Sequence, residues 1–201
     1  MKKLLFVINT LGRAGAETAM LSLFNKLDPN EYKIDLYVLM GQGEMYDDIP
    51  VYVNLLNKNF CTESVLSSVG RRKMIRSVLY SFIKNGGFFK KYGYIIANLA
   101  EMVKARDIKI EKLLWRTLSD GAEIFTEKYD LAVAYIEGGS AYYVADHVNA
   151  DKKAAFVHID YRSAGYTRKL DKDCYLSFDR IFAVSDEVKE YFLSVYPECG
   201  G

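Results

Sequence analysis

Residues 4–27 read LLFVINTLGRAGAETAMLSLFNKL, and the change of pattern inside them decides the fold. Residues 4–8 are an unbroken apolar run, as in a strand buried on both faces. From Ala16 the spacing becomes helical. Ala16, Ala19, Met20, Leu23, Phe24 and Leu27 recur at steps of three and four, and Asp28-Pro29-Asn30 then stops the helix. A loop containing Gly12 and Gly15 joins the two, so the stretch opens a β–α–β unit.

The same alternation continues outward. Residues 33–40 (KIDLYVLM) predict a second strand, and 51–56 a third, weaker one. Residues 130–137 (DLAVAYIE), 154–160 (AAFVHID) and 180–185 (RIFAVS) predict three more. Short helical patterns at 141–148 and 186–196 lie between and after them, the last ended by Pro197. Strands alternating with helices give an α/β fold, a mainly parallel sheet flanked by helices. Residues 57–118 interrupt it with helical periodicity broken at Asn85-Gly86-Gly87, a helical insertion in the sheet's order.

Overall charge excludes little, since the net is +1, but its distribution is uneven. Residues 57–118 carry 13 Lys/Arg against 4 Asp/Glu, and the remainder is net −8. Three readings of this basic arm stand side by side. It is a solvated helical face, or an anionic-membrane contact using Phe88, Phe89, Tyr92, Tyr94 and Trp115, or a phosphate-binding nucleic-acid surface. No nucleic-acid motif supports the third, so no nucleic-acid partner is expected. Cys61, Cys174 and Cys199 lack metal-type spacing, which fits a reducing cytoplasmic compartment. The apolar runs are too short to cross a membrane.

Parallel sheets bind ligands at the carboxyl ends of their strands. The first loop lacks both GxGxxG and GxxxxGK[ST], and Asp35 lies within the second strand rather than at its end. On spacing alone the glycines shape a turn and Glu17 suits the first helical turn, although a helix N-terminus also attracts anions. His158, one of two histidines, ends an apolar strand and shares a strand face with Asp160 by alternation. His147 reads as a surface residue. Glu137 opens the turn Glu-Gly-Gly-Ser and either binds hydroxyls or is structural, while Ser140 and Ser185 read as helix caps that also line a cleft. Asp171-Lys172-Asp173 reads as a solvated helix face rather than a metal-binding string. No cluster has metal-ligand spacing.

Together the segments LLFVINTLGRAGAETAMLSL, DLAVAYIEGGSAYYVA, KKAAFVHIDYR and FDRIFAVSDEVKEYFLSVYP resemble the N-terminal, acceptor-side domain of GT-B glycosyltransferases of the retaining, family 4-like type. They cover about residues 1–56 and 128–197 in the family's order. The resemblance implies a Rossmann-like domain within a two-domain enzyme whose C-terminal nucleotide-sugar domain is absent from residues 1–201, and a piece inactive alone. It implies Gly12, Gly15, Ala16 and Glu17 as the loop touching donor diphosphate and acceptor, and His158 as the catalytic contact. It places Glu137, Gly138, Ser140, Asp160, Arg162 and Ser185 on the acceptor side. The donor would be a UDP- or GDP-sugar with no metal or other cofactor, and the acceptor a glycan or lipid-linked hydroxyl. The location would be cytoplasmic, peripheral on the inner membrane face through 57–118. The competing readings are a non-catalytic module binding a membrane or partner, and a nucleotide-dependent epimerase or dehydrogenase, which the missing GxGxxG opposes.

Overall fold

In the computed structural model, residues 1–83, 87–106, 108–161 and 163–200 are described. Six strands form one wholly parallel sheet in the order β3-β2-β1-β4-β5-β6. They are β1 (Lys2–Ile8), β2 (Tyr32–Val38), β3 (Val53–Leu55), β4 (Lys128–Ala134), β5 (Asn149–Val157) and β6 (Arg180–Ala183). This is the Rossmann-like order, which reverses direction between β1 and β4 and opens a crevice there. The register places Ile8 beside Val38 and Val7 beside Ala134, so β1 is central.

Strand alternation sorts the core into two halves. Leu5, Val7, Ala132, Ala134, Ala155 and Val157 point to one face, beneath α5 (Gly139–His147) and α7 (Asp186–Val195). Leu4, Phe6, Ile8, Ile34, Leu36 and Val38 point to the other, beneath Met20, Leu21 and Phe24 of α1 (Gly15–Phe24). The second face is unevenly covered. Over β4–β6 an apolar groove of about 620 Å³ remains, lined among others by Leu131, Val133, Phe156 and Phe182. A ladder of rings runs along it, with Tyr135–Phe156 and Phe156–Phe182 centroids 4.6 and 5.0 Å apart.

The insertion is three helices, α2 (Ser68–Ile83), α3 (Gly87–Ala105) and α4 (Ile110–Gly121). Residues 85 and 86 of the expected break lie outside the described residues. α2 crosses α4 closely at Gly121, where a Cβ would come 2.6 Å from that of Ser81. The arm is not uniformly a solvated basic face. Arg116 is buried, ion-paired to Asp146 of α5, donating to the Asp171 carbonyl and lying 4.2 Å from the Tyr142 ring centroid. Lys91 is buried too, 3.5 Å from Asp120. His147 is half-buried, its Nε2 3.2 Å from the same Asp120.

Asp171 corrects the reading of 171–173 as a solvated face. It ends the short helix α6 (Arg168–Asp171) and is fully buried. Its Oδ1 accepts from the Tyr142 hydroxyl at 2.6 Å, and its Oδ2 from Tyr161 and from Tyr196, the latter at 3.1 Å. Asp173 is exposed and pairs with Arg168. Burial outweighs the three phenol donors and nearby Arg116, so the Asp171 carboxyl is pushed up to about 6. Folding therefore favours its protonated form over the unfolded carboxyl at 3.8. This contribution is fully present below the unfolded value and is lost as pH rises toward the folded one. Relative to Asp171→Asn, the wild type should lose about 3 kcal/mol in all as the pH rises from about 3 to about 7. Urea melts of both across that range check it, and parallel profiles would contradict the assignment.

Candidate functional site

The crevice between β1 and β4 is closed from below by one asparagine. Asn9, just past β1, donates from Nδ2 to the Glu137 carbonyl at 3.0 Å and accepts on Oδ1 from the Ser140 N–H at 2.8 Å. It thereby caps α5 from another strand, doing the work expected of Ser140. The Ser140 hydroxyl instead donates back to the Ile136 carbonyl, and the N-cap position belongs to Gly138. Gly138 sits at φ 79°, and a Cβ there would come 2.6 Å from the Tyr166 hydroxyl oxygen. Nothing in the sequence pattern marked Asn9; its signal is only a polar residue directly after a buried run.

Glu137 extends the clamp to β5. Its buried carboxylate accepts from the His158 backbone N–H at 2.9 Å. That bond takes His158 off the sheet ladder, so β5 ends at Val157 and strand alternation no longer relates His158 to Asp160. The His158 ring turns back, with Nε2 3.0 Å from the Tyr135 carbonyl. A carbonyl only accepts, so Nε2 donates in this contact. No protein partner of Nδ1 is found among the described residues. His158 is half-buried beside the ladder, 5.8 Å from Tyr135 between centroids. It combines a structural bond to a carbonyl with a second ring nitrogen left open.

The glycine loop leans away, over β2. Leu11 N–H donates to the Gln42 carbonyl at 2.9 Å, and Met45 N–H to the Leu11 carbonyl at 3.1 Å. Gly12 and Gly15 have ordinary negative-φ backbones, and a Cβ on either would meet nothing within 4 Å. Neither packing nor turn geometry needs glycine there. Ala14 caps α1 without any side-chain bond, whereas Thr167 and Ser185 cap α6 and α7. The first turn of α1 thus has no side-chain cap, the arrangement that leaves helix N–H groups to attract anions. Glu17 beside them is buried. Burial chiefly, and then Glu44, push its carboxyl up, against its own backbone N–H.

The remaining candidates lie farther along the edge. Asp160 accepts on Oδ1 from the Ser163 N–H at 3.1 Å in a tight turn. Ser185 accepts from Val188 N–H at 3.2 Å as the expected cap. Arg162 lies outside the described residues. The arm supplies the wall of the crevice. Trp115 packs against Gly138 and Gly139, Lys109 donates to the Ser163 carbonyl at 2.6 Å, and Lys112 lies 4.6 Å from the Tyr166 ring centroid. A larger cavity of about 660 Å³, between α3, residues 165–170 and the end of α7, includes none of Asn9, Glu137, Ser140 or His158 in its lining.

Comparison with known protein families, with curated proteins and with solved structures returns no match.

The two kinds of glycine separate by stability. Gly15→Ala should leave the protein as stable or stabilise it by about 0.5–1 kcal/mol, because alanine is the better helix residue in open space. Gly138→Ala should destabilise by more than about 1 kcal/mol, from its left-handed backbone and the Tyr166 contact. Thermal melts of the two variants compare them directly; equal melting temperatures would contradict the geometry.

Proposed function

We propose that this chain is the acceptor-binding half of a retaining glycosyltransferase. In the whole enzyme a sugar would move from a UDP- or GDP-sugar to an acceptor hydroxyl, in cell-surface glycan or glycolipid synthesis. The observation that carries the reading is the Asn9–Glu137–His158 clamp across the switch point of a Rossmann-like sheet. It presents an imidazole with one ring nitrogen unpartnered among the described residues at the strand ends, suited to hydrogen-bond a sugar hydroxyl.

Two further features support it. The uncapped start of α1, with Gly12 and Gly15 open beside it, suits a diphosphate. The bare apolar groove over β4–β6 suits contact with more protein, since parallel sheets are ordinarily covered on both faces. On this reading Glu137 and Asn9 set the geometry from beneath, and His158 touches the sugar. Gly138 and Ser140 shape the floor, and Asp160 and Ser185 form the far rim. The nucleotide itself is held chiefly by a second Rossmann-like domain, and the isolated half turns over no donor.

The test is transfer by the two-domain enzyme from UDP- and GDP-sugars to lipid-linked and glycan acceptors. His158→Ala should lower transfer about tenfold or more, the cost of one lost hydrogen bond in the reacting complex, while the lost bond to the Tyr135 carbonyl costs only about 1 kcal/mol of stability and leaves the protein folded. Absence of nucleotide-sugar turnover, or transfer undiminished in His158→Ala, would overturn the proposal.

A further inference from the structure

The arm's outward surface is α2, and its two sides differ sharply. Gly70 and Ser81 are buried and Met74, Ser77 and Val78 half-buried, marking the side packed toward α4. On the opposite side, at helical steps of three and four, Arg72, Ile75, Arg76, Leu79 and Ile83 are exposed, with Val69 at the margin. Each of the four aliphatic side chains is at least half bare, and Ile83 is 81% exposed.

The helix carries Arg71, Arg72, Lys73 and Arg76 and no acidic residue. None of these four cations makes an ion pair among the described residues. An ordinary solvated helix face carries mixed charges and few aliphatics. Here aliphatic side chains and unpaired arginines share one face, which suits a water–lipid boundary. The aliphatics enter the acyl edge while the long arginine stems carry their charges back to headgroup phosphates. Positive charge on this face also opposes pairing with a second copy of itself.

We propose that the outer face of α2 seats the protein on an anionic lipid surface. Of the aromatic set expected from sequence, Tyr92 is exposed and the side chains of Phe88 and Phe89 lie outside the described residues. Of that set, Tyr94 is half-buried with its hydroxyl donating to the Leu170 carbonyl at 2.8 Å, and Trp115 is turned in against Gly138 and Gly139. Lipid binding by α2 needs neither donor nor acceptor, so its test is separate from that of glycosyl transfer.

The experiment is co-sedimentation of the chain with vesicles of phosphatidylglycerol and phosphatidylcholine, beside vesicles of phosphatidylcholine alone. Binding is expected to the anionic vesicles at low salt, falling about tenfold or more at about 0.5 M salt. Leu79→Glu with Ile83→Glu should abolish it, and Arg72→Gln with Arg76→Gln should weaken it about tenfold, with melting temperatures unchanged because all four side chains are exposed. Should the glutamate variant unfold, Leu79→Ser with Ile83→Ser takes its place, with a partial loss expected. No sedimentation at low salt, equal binding to neutral vesicles, or binding unaffected by these variants overturns the proposal. A concentration-dependent dimer lost in Leu79→Glu would assign the face to a second copy instead, and a salt-sensitive complex with an acidic protein in place of vesicle binding would assign it to a protein partner. Either result also overturns it.

Discussion

A buried carboxylate holds the non-sheet half of this protein together. Asp171 gathers phenol donors from Tyr142 on α5, Tyr161 after β5 and Tyr196 after α7, while its backbone carbonyl receives Arg116 from the inserted arm. Four separate parts of the chain thus converge on one residue. A buried ion is tolerable only when its hydrogen-bonding capacity is filled, and each donor here comes from a different element. The cost of burial remains visible in the raised carboxyl pKa. The convergence gives more in specificity than in net stability, because it admits only one placement of α4 against α5 and α6.

That placement reaches the strand ends. With α4 fixed, Trp115 closes over Gly138 and Gly139, and Lys109 and Lys112 engage the turn after β5. Below them, Asn9 ties β1 to β4 and the start of α5, and Glu137 ties β4 to His158. Rigid strand ends thus hold the imidazole, while the loop after β1 keeps unfilled space around its glycines. In the proposed acceptor site, a fixed imidazole and an uncapped helix start set the geometry in advance on one side and leave the other to be completed by a ligand.

The sheet is asymmetric in its covering. One face carries α5 and α7 and, through α5, the arm. The other carries α1 and leaves Leu131 and Val133 of β4 and the rings of Phe156 and Phe182 in a groove, with Phe182 exposed. Apolar ladders on parallel strands are stable when covered, so this side is where association would remove most apolar surface from water. It lies on the sheet itself, away from the cationic stripe of α2, and the two surfaces differ in chemistry.

Local pattern was enough for the elements. The run 4–8, the helical spacing from Ala16 and the returning strands near 130, 154 and 180 foretold a parallel α/β sheet, because period-two, period-3.6 and doubly buried segments depend on neighbours in sequence. Ser185 as a cap was legible for the same reason. The end of β5 was not, since a side chain from residue 137 removes the N–H of residue 158 from the ladder. Nor was the cap of α5, supplied from residue 9. Sequence gave Lys91 and Arg116 the same standing as Arg72 and Arg76, and gave Asp171 the standing of Asp173. Which charges enter the interior is decided by partners 10 to 55 positions away, and those meet only in the folded chain. The sequence by itself determined the order of strands and helices. The tertiary structure decided which polar groups become clamps, which face the crevice, and which remain on the outer face of α2.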